Sequence, residues 1–267
     1  MIRRPIASVG IVAVALIMTL TLAAGSAAAE PAAPPGTPTA VQFKGVPSVG
    51  AIFKHGLHNP HTCSASVVQS PGHDLILGAA HCISGTGAGI LFAPGYANGK
   101  TAYGVWTVLK TWVSRTWNSS HDPHNDYAFL QVASQVINNR RVNIQDVTGG
   151  AVLGVAAPAS TSVTDIAYRS GINDSPITCT AKLTLTGGYP TFNCNGYPGG
   201  TSGSPFLVKH LGQPNVVVGV IGGLHQGGCY QWNSFSSPFG SETYRTYQRA
   251  TYRLPANTVT AAGSDGC

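Results

Sequence analysis

Short apolar runs separated by turn residues constrain the fold of this chain more than any other feature. From residue 43 onward the runs contain β-branched and aromatic residues, and Gly, Pro and Asn separate them. This pattern is typical of an all-β sandwich or barrel. The runs are Val49–Phe53, Cys63–Val68, Asp74–Gly78, Tyr103–Leu109, Tyr127–Val132, Val152–Val155, Ala181–Leu185 and Val216–Ile221.

The length of the chain is consistent with one large β domain or with two small barrels. A linker-like stretch, Asn138–Asp146, falls near the middle of the chain. We therefore expect an N-terminal half at residues 43–145 and a C-terminal half at residues 146–267. Only Ser241–Tyr252 has the residue spacing of a helix, with Ser241 as its predicted N-cap.

Residues 1–29 have the three parts of a secretory signal peptide. Two arginines precede an apolar run from Val9 to Ala24, and Ala27–Ala29 provides a cleavage site of small residues. An uncleaved membrane anchor is the alternative, but the apolar run is short and ends in a cleavable motif. Residues 30–42 are rich in Pro and Ala and are predicted to be a short pro-segment or a flexible lead. We therefore expect a secreted, extracellular protein.

The charge balance argues against a nucleic-acid partner. Loss of the signal peptide and its two arginines lowers the formal net charge from +6 to +4, and only 9% of the residues are charged. The cations are scattered rather than clustered. No later segment reaches the length of a membrane span, so no membrane partner is expected after the signal peptide is removed. We expect a monomer.

All six cysteines follow the signal peptide, and an even number in a secreted chain predicts disulfides. Six cysteines permit 15 pairings, so sequence alone does not decide among them. A metal site is the alternative use, although the chain has no Cys-x-x-Cys motif. The closeness of two pairs in sequence favours Cys63–Cys82 and Cys179–Cys194, which leaves Cys229–Cys267.

Three short segments combine a chemically active side chain with an unusual local sequence. They are Leu77–Cys82 with His81, His124–Leu130 with Asp126, and Gly200–Pro205 with Ser202. The order is His, Asp, Ser, and the separations are 45 and 76 residues. These segments resemble the His, Asp and Ser motifs of the trypsin-like (chymotrypsin-fold) serine endopeptidases. The resemblance spans about residues 43–240.

This resemblance implies an all-β fold of two six-stranded antiparallel β-barrels with a short C-terminal helix and an active site between the barrels. It also implies that Ser202 is the nucleophile, that His81 is the general base and acid, and that Asp126 orients the imidazole. The backbone N–H groups of Gly200 and Ser202 would form the oxyanion hole. The resemblance implies protein or peptide substrates, no cofactor and no metal.

The nucleophile loop departs from the family pattern in one informative way. Thr201 stands where animal trypsin-like enzymes have an Asp that pairs with the new N-terminus. Thr201 followed by Ser-Gly-Ser-Pro instead resembles the bacterial glutamyl endopeptidase branch. Gly78 also departs from the pattern, since relatives commonly have Thr there. Ser204 is a competing hydroxyl, but it stands where the family has a small packing residue.

The region expected to build the specificity pocket lacks acidic residues. No Asp or Glu occurs between Asp174 and Glu242, so cleavage after Arg or Lys would bury an unpaired cation. In the glutamyl branch a His contacts the substrate glutamate, and His225 matches its place, with Tyr197 as a second hydrogen-bond partner. The alternative for His225 is a side chain packed beside a glycine turn. Gln226–Gly228 is predicted to pair with the substrate backbone as an added strand.

Two rival hypotheses come from other classes of protein. His121 and His124 are three residues apart, as in some metal sites, but Pro123 argues against the helix that would align them, so a solvated loop is favoured. The rival function is a pseudo-protease, in which the same barrels bind a partner and the departures from the family pattern mark a degraded site. The presence of all three triad residues argues against it.

Overall fold

The computed structural model of the chain describes Ile2 and residues 30–267. The predicted signal peptide, residues 1–29, therefore lies outside the described residues except for Ile2. Residues 32–267 pack as one unit. Within this described part, no helix has the length and apolar character needed to cross a membrane.

The strands before residue 143 build a closed barrel. As far as the chain is described, they are β1 (Val41–Gln42), β2 (Val49–Phe53), β3 (Cys63–Val68), β4 (Leu75–Gly78), β5 (Leu91–Pro94), β6 (Trp106–Trp112), β7 (Ala128–Val132), β8 (Gln135–Ile137) and β9 (Arg140–Val142). Strands β2 to β7 close into an antiparallel barrel in which the neighbours run β2-β3-β4-β7-β6-β5. The predicted N-terminal barrel is confirmed.

Strands β2, β3 and β4 are buried along their whole length, and β2 and β4 contain only apolar residues and Gly. Ala65 and Val67 of β3 belong to a cluster formed by the barrel strands. Leu77 of β4 belongs to a second cluster, which also contains Val217 and Val220 of the C-terminal half. The outer face of the barrel is therefore covered by the second half of the protein.

The C-terminal half contains an open sheet of six strands and a separate sheet of three. Its strands, among the described residues, are β10 (Val152–Leu153), β11 (Ser162–Ala167), β12 (Ile177–Lys182), β13 (Thr184–Thr186), β14 (Tyr189–Asn193), β15 (Pro205–Val208), β16 (Val216–Val220) and β17 (Asn233–Phe235). The sheets run β1-β12-β11-β15-β16-β10 and β13-β14-β17, and the β10–β16 pair is parallel.

The all-β class is confirmed, but the C-terminal half does not form the predicted second closed barrel. Closure would require β12 to pair with a further strand of its own half. The first two residues of that edge instead pair with β1, with Val41 opposite Thr178 and Gln42 opposite Ile177. Strand β14 pairs with β13 and β17, and the Cys179–Cys194 disulfide connects β12 to the residue after β14.

The segment predicted to be a pro-segment is hydrogen-bonded into the C-terminal half. Ala40 donates its N–H to the Asn195 carbonyl at 2.9 Å, and Asn195 donates its N–H to the Pro38 carbonyl at 2.8 Å. The predicted boundary at residue 42 therefore falls at the end of a paired strand. That residues 30–42 are removed during maturation stays a prediction.

Helices are few and short in the described part of the chain: α1 (Arg115–Ser120), α2 (Ile144–Thr148) and α3 (Ser241–Thr251). The predicted C-terminal helix is confirmed as α3, although Gly240 is its N-cap and Ser241 its first helical residue. The first two helices were not predicted, because each is shorter than two turns and has no apolar periodicity.

The predicted and observed bounds of several strands differ, in one case because a loop forms backbone hydrogen bonds with a residue of the predicted strand. Strands β2 and β3 have the predicted bounds. Strand β6 begins at Trp106, three residues later than predicted, and continues to Trp112. The predicted run Ala181–Leu185 is divided between β12 and β13, because Leu183 exchanges backbone hydrogen bonds with the loop at Ser160 and Thr161.

The disulfides have the pairing that sequence proximity favoured. They are Cys63–Cys82, Cys179–Cys194 and Cys229–Cys267, and no cysteine of the described chain is free. The first two are buried, whereas both cysteines of the third are exposed.

Candidate active site

His81 and Asp126 form a buried hydrogen-bonded pair. The Asp126 side chain is fully buried, and its Oδ2 accepts a hydrogen bond from His81 Nδ1 at 2.7 Å. The same carboxylate accepts from the backbone N–H groups of His81 and Gly223, each at 2.9 Å. These three donors satisfy a carboxylate that would otherwise be costly to bury. Because Nδ1 carries the donated proton, His81 Nε2 is the nitrogen left to act as a base.

Two segments far away in sequence hold Asp126 in place. Its backbone N–H donates to Ser237 Oγ at 2.8 Å, and Ser237 Oγ donates to the Pro123 carbonyl at 2.8 Å. Gly222 lies so close that a Cβ there would overlap the Asp126 carbonyl oxygen. No local sequence feature marks Gly223 or Ser237 for this role, because only tertiary packing brings them to Asp126.

The loop that carries Ser202 packs against β3. The Ser202 carbonyl accepts a hydrogen bond from the Ser64 N–H at 2.7 Å. Gly203 has a φ of +84°, and a Cβ there would overlap the Ser64 carbonyl, so only glycine fits this contact. The Ser202 side chain is partly buried, lies at a pocket, and makes no hydrogen bond to any described residue. Such a hydroxyl is available to a base, since catalytic hydrogen bonds often tighten only with substrate bound.

Gly200 turns its N–H away from the protein interior. The Gly199 carbonyl accepts from the Ser170 N–H at 2.8 Å. Because the carbonyl and N–H of a trans peptide point in opposite directions, the Gly200 N–H of that peptide points away from Ser170. Gly200 has a φ of +98°, and a Cβ there would overlap the Ser170 backbone. Neither this N–H nor that of Ser202 donates to another described residue, so both can serve an oxyanion.

The competing hydroxyl of Ser204 is fully buried and already engaged. Its Oγ donates to Asp165 Oδ2 at 2.8 Å. Asp165 is itself fully buried on β11, and its Oδ1 has no hydrogen-bond partner within the described residues. Burial raises the pKa of the Asp165 carboxyl well above its ordinary value. Asp165 lies outside the range between residues 174 and 242 that lacks acids, because β11 precedes that range in the chain.

Replacing Asp165 by asparagine is expected to make stability less dependent on pH. Above the ordinary aspartate pKa the unfolded wild-type chain releases the Asp165 proton while the folded chain retains it, so the wild type loses stability as pH rises. The free energy of unfolding of Asp165→Asn should therefore increase relative to that of the wild type, by at most about 1.4 kcal/mol per pH unit. Urea denaturation between pH 4 and pH 8 measures this difference. A constant difference across this range would contradict a neutral buried Asp165.

A pocket of about 230 Å³ lies beside Ser202. Predicted residues Tyr197, Gln226, Gly227 and Gly228 line it, together with residues 198–199, Thr201, Ile221, Cys229–Gln231 and Ser234. None of the lining side chains is charged, so the pocket offers hydrogen-bonding groups without a formal charge. The sequence indicated that this region lacks acidic residues, and the pocket lining indeed contains no Asp or Glu.

Two predicted specificity residues each use a polar side-chain atom in a hydrogen bond to the protein backbone. The Tyr197 hydroxyl donates to the Asp165 carbonyl at 3.3 Å. His225 is not among the lining residues, and its Nδ1 lies 3.0 Å from the Asp265 carbonyl, to which it donates. Their roles as contacts for a substrate glutamate stay predictions. The predicted Cys229–Cys267 disulfide already placed the end of the chain beside this loop, but no local sequence feature indicated the hydrogen bond from His225 to Asp265.

The histidines considered as a metal site are engaged with other groups. His124 Nδ1 lies 3.0 Å from Asp122 Oδ1 and 3.2 Å from the Tyr189 hydroxyl. His121 is the C-cap of α1, and its ring packs on Trp117. Groups of three possible metal ligands occur among the described residues only at Cys63, His81 and Cys82 and at His225, Cys229 and Cys267, where every cysteine is in a disulfide.

Comparisons with known proteins bear on the fold. No protein-family model and no curated protein matches the sequence. Among solved structures, the protease Anisep from Arthrobacter nicotinovorans matches with a TM-score of 0.65 at 23% identity, over 80% of this chain and 100% of that one. The thermostable serine protease AL20 from an extremophilic microorganism matches with a TM-score of 0.64 at 22% identity, over 77% and 97%.

A Glu endopeptidase also matches, with a TM-score of 0.62 at 15% identity, over 81% of this chain and 97% of that one. At these identities the likeness concerns the arrangement of the backbone. Each match covers nearly all of the other chain, so the likeness extends over both halves of the protein. The chain therefore has the chymotrypsin fold of these proteases.

Proposed function

We propose that the chain is a secreted serine endopeptidase that uses His81, Asp126 and Ser202 as its catalytic triad. The observation that carries this proposal is the Asp126–His81 hydrogen bond of 2.7 Å. Ser202 belongs to a loop that contacts the residue after His81, since Cys82 Sγ lies 4.0 Å from the Ser202 carbonyl oxygen. A buried carboxylate that accepts the Nδ1–H of an imidazole is the arrangement that orients a general base. The fold shared with solved proteases supports the same function.

In the proposed reaction, Ser202 Oγ attacks the scissile carbonyl carbon while His81 Nε2 takes the hydroxyl proton. The N–H groups of Gly200 and Ser202 stabilise the charge that develops on the carbonyl oxygen. His81 then gives its proton to the leaving amine, the C–N bond breaks, and Ser202 retains the acyl group. Water that is deprotonated by His81 hydrolyses this ester and restores the serine.

Secretion forms part of the proposal. Three disulfides are typical of proteins that fold in an oxidising compartment. The predicted signal peptide at residues 1–29 would direct the chain to the secretion pathway. The proposed substrates are proteins or peptides, and the proposed species is a monomer.

Labelling by a small fluorophosphonate tests the nucleophile. We expect the purified, folded protein to form one covalent adduct, and peptide mass analysis should place it on Ser202. The rival hypothesis is a binding module with the same fold and an inactive site. Folded protein that does not react, and that cleaves no peptide, would favour this rival over the protease.

The specificity pocket supports a narrower proposal about the residue before the scissile bond. Because no charged side chain lines the pocket, we expect cleavage after Lys or Arg to be slower by about 10²-fold or more than after the preferred residue. Glutamate preference, the hypothesis drawn from the position of His225, predicts that peptides with Glu are cut faster than matched peptides with Gln. A peptide library varied at this position measures both ratios. Equal rates for Glu and Gln would contradict the glutamate hypothesis, and rapid cleavage after Lys or Arg would contradict the uncharged pocket.

A further inference from the structure

Residues 257–267, which we call the strap, connect the N-terminal barrel to a wall of the pocket. At its first end, Asn257 donates its N–H to the Thr111 carbonyl at 2.8 Å, and its side-chain oxygen accepts from the Val113 N–H at 3.1 Å. Val259 is 3% exposed and belongs to the apolar cluster of the barrel. The first part of the strap is therefore firmly anchored.

The strap next contacts the loop that follows His81. Val259 exchanges two backbone hydrogen bonds with Gly85, at 2.6 and 2.9 Å. Thr260 makes two further hydrogen bonds with Asn118, at 3.0 and 3.1 Å. The anchored part of the strap thus contacts Gly85, which follows the proposed general base His81 by four residues.

The other end of the strap holds the loop at residues 225–229. Gln226 donates from Nε2 to the Gly263 carbonyl at 2.8 Å, and His225 donates from Nδ1 to the Asp265 carbonyl at 3.0 Å. The Cys229–Cys267 disulfide joins the two segments covalently. Side chains at three of these five loop positions therefore bond to the strap.

This loop has a backbone that needs outside support. His225 and Gln226 have φ values of 52° and 50°, and Gly227 and Gly228 have φ values of 116° and 126°. Left-handed conformations are uncommon for non-glycine residues, and they persist only where the surrounding structure holds them. Gln226, Gly227, Gly228 and Cys229 line the pocket, so the conformation of this loop sets the shape of one pocket wall.

We propose that the strap is a positioning element for the specificity pocket, which keeps the loop at residues 225–229 in the conformation that selects the substrate residue before the scissile bond. This inference rests on the proposed protease function. His81, Asp126 and Ser202 receive no hydrogen bond from the strap within the described chain. Loosening the strap should therefore impair substrate selection and leave the nucleophile reactive.

The test compares two variants that release opposite ends of the strap. Cys229→Ser with Cys267→Ser removes the covalent link at the pocket, and Asn257→Ala removes an anchor that lies outside the pocket lining. Arg245→Ala is the control, since its exposed ion pair with Glu242 on α3 involves no strap residue.

In the double cysteine variant we expect KM for the best library peptide to rise by about 10-fold or more, because small displacements of substrate-positioning groups have large effects. The differences in cleavage rate among peptides that vary in the residue before the scissile bond should become smaller. The rate of labelling by a small fluorophosphonate, which does not fill the pocket, should stay within about twofold of the wild type. Asn257→Ala should also raise KM and reduce the preference among residues before the scissile bond. Arg245→Ala should change neither.

Hydrogen exchange of residues 224–229 provides a readout that does not depend on catalysis. We expect faster exchange there in the double cysteine variant, with exchange in β2 to β7 unchanged. An unchanged library profile in a folded double variant would overturn the proposal. So would a parallel loss of labelling and cleavage, because that result indicates general destabilisation. Failure of the wild type to label would instead refute the protease function, and unchanged exchange at residues 224–229 would independently refute the positioning role.

Discussion

Ser202→Ala is expected to lower kcat for peptide hydrolysis by about 10⁶-fold, because the proposed acyl-enzyme cannot form without the hydroxyl. The residual rate should come from the oxyanion hole and from substrate binding alone. KM should change little, since Ser202 lies at the pocket without a hydrogen bond to any described residue that would shape it. Steady-state kinetics with the best library peptide, on protein freed of wild-type contamination, measures the effect.

Ser204→Ala is the matched control for this experiment. The Ser204 hydroxyl lies in the same loop but is buried and donates to Asp165 at 2.8 Å. Its loss should lower stability by about 1 kcal/mol while fluorophosphonate labelling of Ser202 persists. Retained hydrolysis in Ser202→Ala, together with lost labelling in Ser204→Ala, would show that the nucleophile was assigned to the wrong serine.

Asp126→Asn is expected to lower kcat by about 10⁴-fold with the fold intact, because the amide stabilises the wrong tautomer of the catalytic imidazole. The carboxylate accepts three N–H groups, two from His81 and one from Gly223. An asparagine has one acceptor oxygen and an NH₂ group that donates, so it cannot reproduce this set. Kinetics combined with circular dichroism would separate the catalytic loss from unfolding.

Asp122→Asn is the control for Asp126→Asn, since it makes the same chemical change four residues earlier in the chain. Asp122 is partly exposed and accepts hydrogen bonds from His124 and Asn125, outside the proposed triad. We expect its kcat to stay within about threefold of the wild type. Equal losses of kcat in the two variants would mean that Asp126 stabilises the loop rather than orienting the His81 imidazole.

The local pattern of the sequence was sufficient to predict most of the N-terminal half. Strands β2, β3, β4 and β7 coincide closely with apolar runs, because strands buried on both faces are short, apolar and bounded by turn residues. The disulfide pairs followed from proximity in sequence. The helix α3 was recognisable because it is long enough to show a period.

The second half was harder to predict because its edges depend on distant segments. Strand β1 has two residues and no periodic pattern, yet it pairs with the first two residues of β12 at the edge of the sheet. The parallel β10–β16 pair joins segments more than 60 residues apart, Val152–Leu153 and Val216–Val217. Register between such segments is decided by packing, which a local pattern does not contain.

The sequence by itself determined the all-β class and the identities of His81, Asp126 and Ser202 as candidates, and it favoured the disulfide pairing that the structure has. Each of these depends on composition, on proximity or on a short motif. Only the tertiary structure decided that Asp126 bonds to Gly223 and Ser237, that Asp165 lies beneath Ser204, and that His225 bonds to the strap. These contacts join residues 39 to 111 positions apart, and only packing of the folded chain can specify hydrogen bonds over such separations.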